Sequence, residues 1–390
     1  MSSPVTVDEA SRLRRSHLQD VKRVVVKVGS AVLSDRGGLN QKVIGQLADE
    51  LSFLRSTGRE VILVSSGAVA VGRSKLSLWH PHLSLREKQG AAAVGQAGLM
   101  RFYEKEFARH DLQVAQVLLT HSDLAHRERY RNIQNTINSL LEWGVVPVIN
   151  ENDTVSVEEL RFGDNDTLGA LVTNIIGADI FICLTDVDSL YTANPATEST
   201  AQPVHTVEAV TDTICNMAGH AGSSLGTGGM RSKIMAARMV AARGGHSFIG
   251  PGRQPGVIQR LFGGELLGTF FLPNEEKQKL QSRKHWIAYT LRPKGTLVLD
   301  DGACRAIQRH GSSLLAVGIV AVKGSFERGD AVACISGSGK KVGAGLVNYG
   351  GAEIRQLMGC NTGDIEKILG YKNSDEIIHR NDLVRFSGDA

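Results

Sequence analysis

Val24-Val25-Val26-Lys27-Val28-Gly29-Ser30 sets a run of β-branched residues against a glycine, with one lysine inside the run. Such a run suits a strand buried on both faces, because alternation is lost when neither face meets water. The same grammar recurs downstream. Apolar runs at 61–64, 114–119, 145–149 and 180–184 alternate with helical patterns near 41–56, 85–109, 122–143 and 167–176. This alternation predicts an α/β fold, a three-layer αβα sandwich with a mostly parallel central sheet. In open α/β sheets, ligands bind beyond the carboxyl ends of the strands. Here those ends read Gly29-Ser30, Ser65-Ser66-Gly67, Asn150-Glu151-Asn152-Asp153 and Thr185-Asp186. All are small or polar, so oxygens and backbone groups converge on one edge.

The chain has 390 residues, long for a single core, so two domains are expected. Aromatics are only 5%, which argues against a dedicated reader of single-stranded nucleic acid. A net charge of +4 singles out no partner. Cys183, Cys215, Cys304, Cys334 and Cys360 form no C-x-x-C pair and read as reduced buried thiols. Cys183 lies in an apolar run and is read as packing. The first residues mix Asp8, Glu9, Arg12, Arg14 and Arg15, unlike a signal peptide. No stretch has the length and apolarity of a bilayer span. A cytoplasmic protein with no membrane partner is expected. Beyond a polar stretch at 273–284, short runs at 286–289, 296–299, 315–322, 331–335 and 342–347 are separated by glycines. They predict a small β-rich barrel with short helices. The two domains are placed at 20–272 and 284–372.

Several polar clusters are candidates for chemistry. Lys27 sits near the end of its strand, within reach of a phosphate; a lysine snorkelling from an edge strand explains it as well. Gly226-Thr227-Gly228-Gly229-Met230-Arg231-Ser232-Lys233 leads into a helical pattern. A loop feeding a helix N-terminus offers N–H donors to an anion. It is not a Walker A motif, since Ile234 stands where Ser or Thr belongs. Ser336-Gly337-Ser338-Gly339-Lys340-Lys341 fails the same test and reads as a hairpin turn. Gly163-Asp164-Asn165-Asp166-Thr167 precedes a helix; capping accounts for one of its polar residues but not three. Asp166 would orient lysines, and Asn165 would bind a carboxylate or an amine. Asp153 would hold an ammonium group. Ser66 offers a hydroxyl at a strand end, or simply caps a helix. Thr185-Asp186 reads as a nucleotide-facing loop or a polar turn.

In this order and spacing, these stretches resemble the amino acid kinase family across essentially the whole chain. Asn150-Glu151-Asn152-Asp153 paired with Gly163-Asp164-Asn165-Asp166 favours the branch acting on L-glutamate over those acting on carbamate, acetylglutamate, aspartate or UMP. The tail, through Gly295, Gly311-Ser312-Ser313 and Gly329-Asp330, resembles a PUA domain, a module of RNA-modifying proteins, and raises RNA as a partner. The resemblance implies ATP-dependent phosphorylation of the γ-carboxylate of L-glutamate. It implies Lys27, Lys233 and Asp166 as catalytic residues, and Ser66, Asp153 and Asn165 as glutamate ligands. Lys27, Thr185, Asp186, Thr227, Gly228, Gly229, Met230, Arg231, Ser232 and Lys233 would bind ATP. Mg²⁺ would be carried mainly by the ATP phosphates, with no protein-held metal. Proline as inhibitor and a homo-oligomer, dimer or tetramer, are further implications. One departure is Ser30-Ala31, where many relatives have Thr-Ser. A carboxylate is already a nucleophile, so no histidine base is required.

Overall fold

The computed structural model describes residues 7–35, 38–80, 82–155, 165–218, 229–274 and 281–386. In chain order the main elements begin with α1 (Val7–Leu18), β1 (Arg23–Val28), α2 (Gln41–Ser56), β2 (Glu60–Ser65), α3 (Ala68–Lys75) and α4 (Leu85–Ala108). Next come β3 (Val114–Leu119), α5 (Arg127–Glu142), β4 (Val146–Glu151), α6 (Asn165–Ile175) and β5 (Ile180–Thr185). The series continues with β6 (Thr206–Val207), α7 (Met230–Ala241), β7 (His246–Pro251), α8 (Val257–Phe262) and β8 (Thr269–Phe271). The strands form one sheet in the order β6-β8-β7-β5-β1-β2-β4-β3. Pairing is parallel except between β7 and β8.

β1 and β5 are buried along nearly their whole length because helices cover both faces. Val24, Val26 and Val28 join a core with Ile44, Leu47 and Leu51 of α2, Leu99, Tyr103 and Phe107 of α4, and Ile258 and Leu261 of α8. The opposite face of β1 carries Lys27 and meets α6. The chain lays strands outward from β1 to β3, then returns to place β5 on the other side of β1. That reversal opens a crevice at the carboxyl ends of β1 and β5.

Local chemistry sets the helix ends. Asn40 caps α2, its Oδ1 accepting from the Val43 N–H at 3.2 Å. Ser84 and Glu87 form a reciprocal capping box on α4. The helical pattern at 122–143 is interrupted: His121–Ala125 is a separate turn, and the extended backbone of His126 precedes α5. A capping box of Thr120 and Asp123 starts that short turn.

Helices α3 and α4 cross at glycines. A Cβ on Gly72 would lie 1.8 Å from the Ala91 carbonyl oxygen, and one on Gly95 equally close to that of Ala68. Backbone atoms cannot yield as a side chain does. Gly72→Ala is therefore expected to destabilise by roughly 3 kcal/mol or more. Gly90→Ala, with open space around it, should instead stabilise by about 0.5 kcal/mol. Urea unfolding followed by circular dichroism distinguishes them; equal midpoints would refute the close crossing.

The chain divides into two compact units, Met1–Lys279 and Leu280–Ala390. The second contains α9 (Ser282–Tyr289), β9 (Gly295–Leu299), β10 (Ile319–Gly324), β11 (Ala331–Ser336), β12 (Lys341–Leu346) and β13 (Leu383–Arg385). Its sheet order is β10-β9-β11-β12-β13, around buried Leu297, Val332, Cys334 and Tyr349. The apolar run at 286–289 lies in α9 rather than a strand; four apolar residues carry too little periodicity to tell the two apart. Residues 336–340 close the β11–β12 hairpin, the Ser336 N–H donating to the Lys340 carbonyl at 2.9 Å. No helix among the described residues is long and apolar enough to cross a membrane.

Candidate functional site

Lys27 lies opposite Val64 of β2 and Cys183 of β5 in register. Lys27 is only 5% exposed. A buried ammonium needs a counter-charge, and α6 supplies it. Asp166 lies in the first turn of α6 with no solvent exposure. Its Oδ1 is 2.6 Å from Lys27 Nζ, and its Oδ2 is 3.1 Å from Lys233 Nζ. Gly169, one turn further along, lets α6 sit this low. A Cβ there would lie 2.5 Å from the Phe181 ring and 3.5 Å from Lys27 Cβ.

Lys233 comes from the start of α7, whose N-cap is Gly229. Ser232 Oγ lies 2.7 Å from Asp166 Oδ2 and 2.8 Å from the Gly229 carbonyl oxygen. Cys183 donates from Sγ to Asp166 Oδ1 at 3.3 Å. Burial opposes ionisation of Asp166, but Lys27, Lys233 and Ser232 outweigh it and hold the carboxyl well below its usual range. Cys183 is pushed up to about 12, first by burial and then by the Asp166 charge. It stays a thiol and serves as a donor. One carboxylate and two ammoniums leave the trio with a formal excess of one positive charge, at the carboxyl edge of the sheet.

A second cluster adjoins the first, because Asn165 and Asp166 are consecutive. Asn165 Nδ2 donates to Ser66 Oγ at 2.7 Å and to Asn150 Oδ1 at 3.0 Å. Ser66 follows β2, and its N–H donates to the Val28 carbonyl at 3.2 Å, tying the loop to β1. Asp153 sits in the turn after β4. Thr185 ends β5, with Oγ1 donating to Asp186 Oδ1 at 3.0 Å and its carbonyl accepting from the Gly252 N–H at 2.7 Å.

Lys27, Lys233, Asp166 and Ser232 thus form one cluster, and Ser66 and Asn165 the neighbouring one. Thr185 and Asp186 end the strand beside β1. Gly229, Met230 and Arg231 open α7, with Arg231 exposed. Thr227 and Gly228, together with Asp164, lie outside the described residues. The Gly29 N–H donates to the Leu184 carbonyl at 3.3 Å. Three participants were not legible as such: Cys183, read only as packing, Ser232 as a partner of Asp166, and Gln96, a helical residue in no motif whose Oε1 accepts from Asn150 Nδ2 at 3.1 Å. Among the described residues, no group of three or more His, Cys, Asp or Glu side chains could hold a metal ion.

The profile of the amino acid kinase family matches residues 22–249, and that of the PUA domain matches residues 295–369. The chain is 54% identical to a glutamate 5-kinase of Desulfotalea psychrophila over 378 residues, covering 96% of this chain and all of that relative. It is 47% identical to a glutamate 5-kinase of Syntrophus aciditrophicus over 371 residues, covering 95% of this chain and 96% of that one. A glutamate 5-kinase of Trichlorobacter lovleyi is 48% identical over 373 residues, covering 95% of this chain and 99% of that one.

Proposed function

The chain belongs to the amino acid kinase family, and we propose that it transfers the γ-phosphoryl group of ATP to the side-chain carboxylate of L-glutamate. The products are L-glutamyl 5-phosphate and ADP, and the step opens the route from glutamate to proline. The observation that carries this reading is the 54% identity to a glutamate 5-kinase along that relative's whole length. The geometry supports it with the chemistry required.

In the reaction, a γ-carboxylate oxygen of glutamate attacks the γ-phosphorus of ATP. The bond from that phosphorus to the β,γ-bridging oxygen breaks, and ADP leaves with the electron pair. Little covalent help is needed; alignment and charge stabilisation do most of the work. Lys27 and Lys233 flank the transferred group and stabilise charge on its oxygens. Asp166 holds both ammoniums in place through its two oxygens. The N-terminus of α7, with Gly229, Met230, Arg231 and Ser232, faces the ATP phosphates, joined by Thr227 and Gly228. Thr185 and Asp186 contact the nucleotide. Ser66, Asp153 and Asn165 bind glutamate, Asp153 through the ammonium group.

Mg²⁺ enters with ATP, held by phosphate oxygens and water. Both oxygens of Asp166 are already engaged by Lys27, Lys233, Ser232 and Cys183, which supports a metal carried by the nucleotide. Proline inhibition and a dimer or tetramer are carried by the family likeness alone, and a cytoplasmic site of action by the few, dispersed cysteines of the sequence. Proline added to the assay, sedimentation and cell fractionation decide them.

The test is an ATP–Mg²⁺ assay with hydroxylamine trapping on L-glutamate, L-aspartate, N-acetyl-L-glutamate and UMP. Hydroxylamine converts acyl phosphates to coloured hydroxamates. Hydroxamate with L-glutamate alone is expected; ADP release with UMP and no hydroxamate would move the chain to nucleotide phosphorylation. In the same assay, Asp153→Ala should raise the KM for glutamate much more than that for ATP. Equal rises would remove Asp153 from the ammonium site.

A further inference from the structure

An amide side chain has an accepting end and a donating end, and its neighbours decide which points where. Here a backbone group decides. The Glu151 N–H donates to Asn150 Oδ1 at 2.9 Å. A backbone N–H can only donate, so the atom it meets is the oxygen. Asn150 Nδ2 then donates to Gln96 Oε1 at 3.1 Å, and Gln96 Nε2 to Gln116 Oε1 at 3.0 Å. On its other side Asn150 Oδ1 accepts from Asn165 Nδ2, which also donates to Ser66 Oγ. Reversing Asn165 would set two amide oxygens face to face.

Asn150 is thus held at both ends, its Oδ1 by the Glu151 N–H and its Nδ2 by Gln96 Oε1, and it passes that polarity to Asn165. Gln96 and Asn150 are 8% and 3% exposed, so solvent has little access to replace either. What is left over is Asn165 Oδ1, buried and without a hydrogen-bond partner among the described residues. A buried amide oxygen left unpaired is costly. A donor on a bound ligand would complete it.

We propose that Gln96 is a positioning residue that acts through Asn150 to lock Asn165 with its oxygen toward the acceptor substrate. The site then demands a hydrogen on the substrate's α-nitrogen at that point, and rejects a carboxylate there. This settles for Asn165 the choice between binding an amine and binding a carboxylate. The inference rests on glutamate being the acceptor. Gln96 sits on α4, away from the sequence motifs, and touches neither phosphate nor lysine among the contacts described.

The test compares wild type, Gln96→Met and Gln96→Glu on L-glutamate and on glutarate, the same diacid without the amine, with MgATP. Methionine keeps the volume and removes both polar ends. Glutamate keeps an acceptor toward Asn150 Nδ2, and Gln116 can turn its own amide to match. Wild type should prefer glutamate over glutarate by about 100-fold or more in kcat/KM. In Gln96→Met that preference should fall by about tenfold or more, the scale of one hydrogen bond to a charged group. The fall should come from the glutamate KM, with the values for glutarate and ATP held. Gln96→Glu should recover the preference to within about threefold. Equal losses on both acceptors, or a Glu variant as unselective as the Met variant, would overturn the relay and leave Gln96 a structural role. A wild type that forms no hydroxamate with glutamate would overturn the substrate assignment itself, and the relay with it.

Discussion

Replacing Asp166 by asparagine should lower turnover by about 10³-fold or more and destabilise the protein by about 3–5 kcal/mol. The two losses share one cause. Asp166 is fully buried, and both its oxygens face ammonium groups. Asparagine is nearly isosteric but neutral, so it leaves two buried like charges close together. One lysine then tends to shed its proton, since burial and a like charge both disfavour the charged form. The transferred phosphoryl group would lose one stabilising charge and the alignment of the other. The expected loss of stability also depends on pH. The Asp166 carboxyl is held below its usual range in the folded protein, so its contribution is fully present above the unfolded value of about 3.9. It is lost as pH falls from about 4 toward the lower folded value, because protonation removes the carboxylate the lysines need. The stability gap between wild type and Asp166→Asn should therefore narrow in acid, where wild type loses its carboxylate, and narrow again as pH rises above neutrality, where the unfolded variant also begins to give up the lysine proton that its folded form sheds. Urea titrations at several pH values, with turnover measured at neutral pH, read both effects. Turnover within tenfold of wild type would mean that Asp166 does not organise the lysines for chemistry.

What the sequence disclosed follows from how local each signal is. A β-branched run is a local statement, and β1, β2, β3, β4 and β5 lie within a residue or two of the runs that announced them. The bounds of α2 and α4 were likewise legible, because Asn40 and Ser84 carry their caps on their own side chains. The break at His126 was not, since residues on either side continue one helical pattern and only the backbone of a single residue departs from it. The site divides the same way. Lysines and acids at strand ends announce themselves, because a charge in an apolar run requires an explanation. Cys183 and Gln96 announce nothing: a thiol in a strand and an amide in a helix are ordinary there. Their part arises from contacts across 17 and 54 residues of chain, to Asp166 and Asn150. Such contacts are made by register and helix depth, which no single segment encodes. Gly169 marks the limit, since its missing side chain matters only once Phe181 is known to lie beneath it.

Lys233→Ala should have a different signature from Asp166→Asn, although both alter the same trio. Removing Lys233 strands no charge, because Asp166 keeps Lys27 at 2.6 Å and Ser232 at 2.7 Å. The remaining pair is neutral overall, so the fold should be retained with a loss below that of Asp166→Asn. Catalysis should not be spared. The charge that grows on the transferred group's oxygens is met in the ground state only in part, so an ammonium aimed at it acts mainly on the barrier. Turnover should fall by at least about two orders of magnitude, or about 2.7 kcal/mol of barrier, with the KM values for ATP and glutamate moved much less. Circular dichroism and urea unfolding establish the fold, and steady-state kinetics separate kcat from KM. Near-normal turnover would remove Lys233 from the mechanism. A large rise in the ATP KM with kcat unchanged would make it a binding residue, leaving Lys27 and the start of α7 to stabilise the transferred group. The contrast between the two variants is the sharper test. A shared carboxylate whose loss damages fold and rate together, beside a lysine whose loss damages rate far more than fold, is what an organised charge trio predicts and an ordinary buried salt bridge does not.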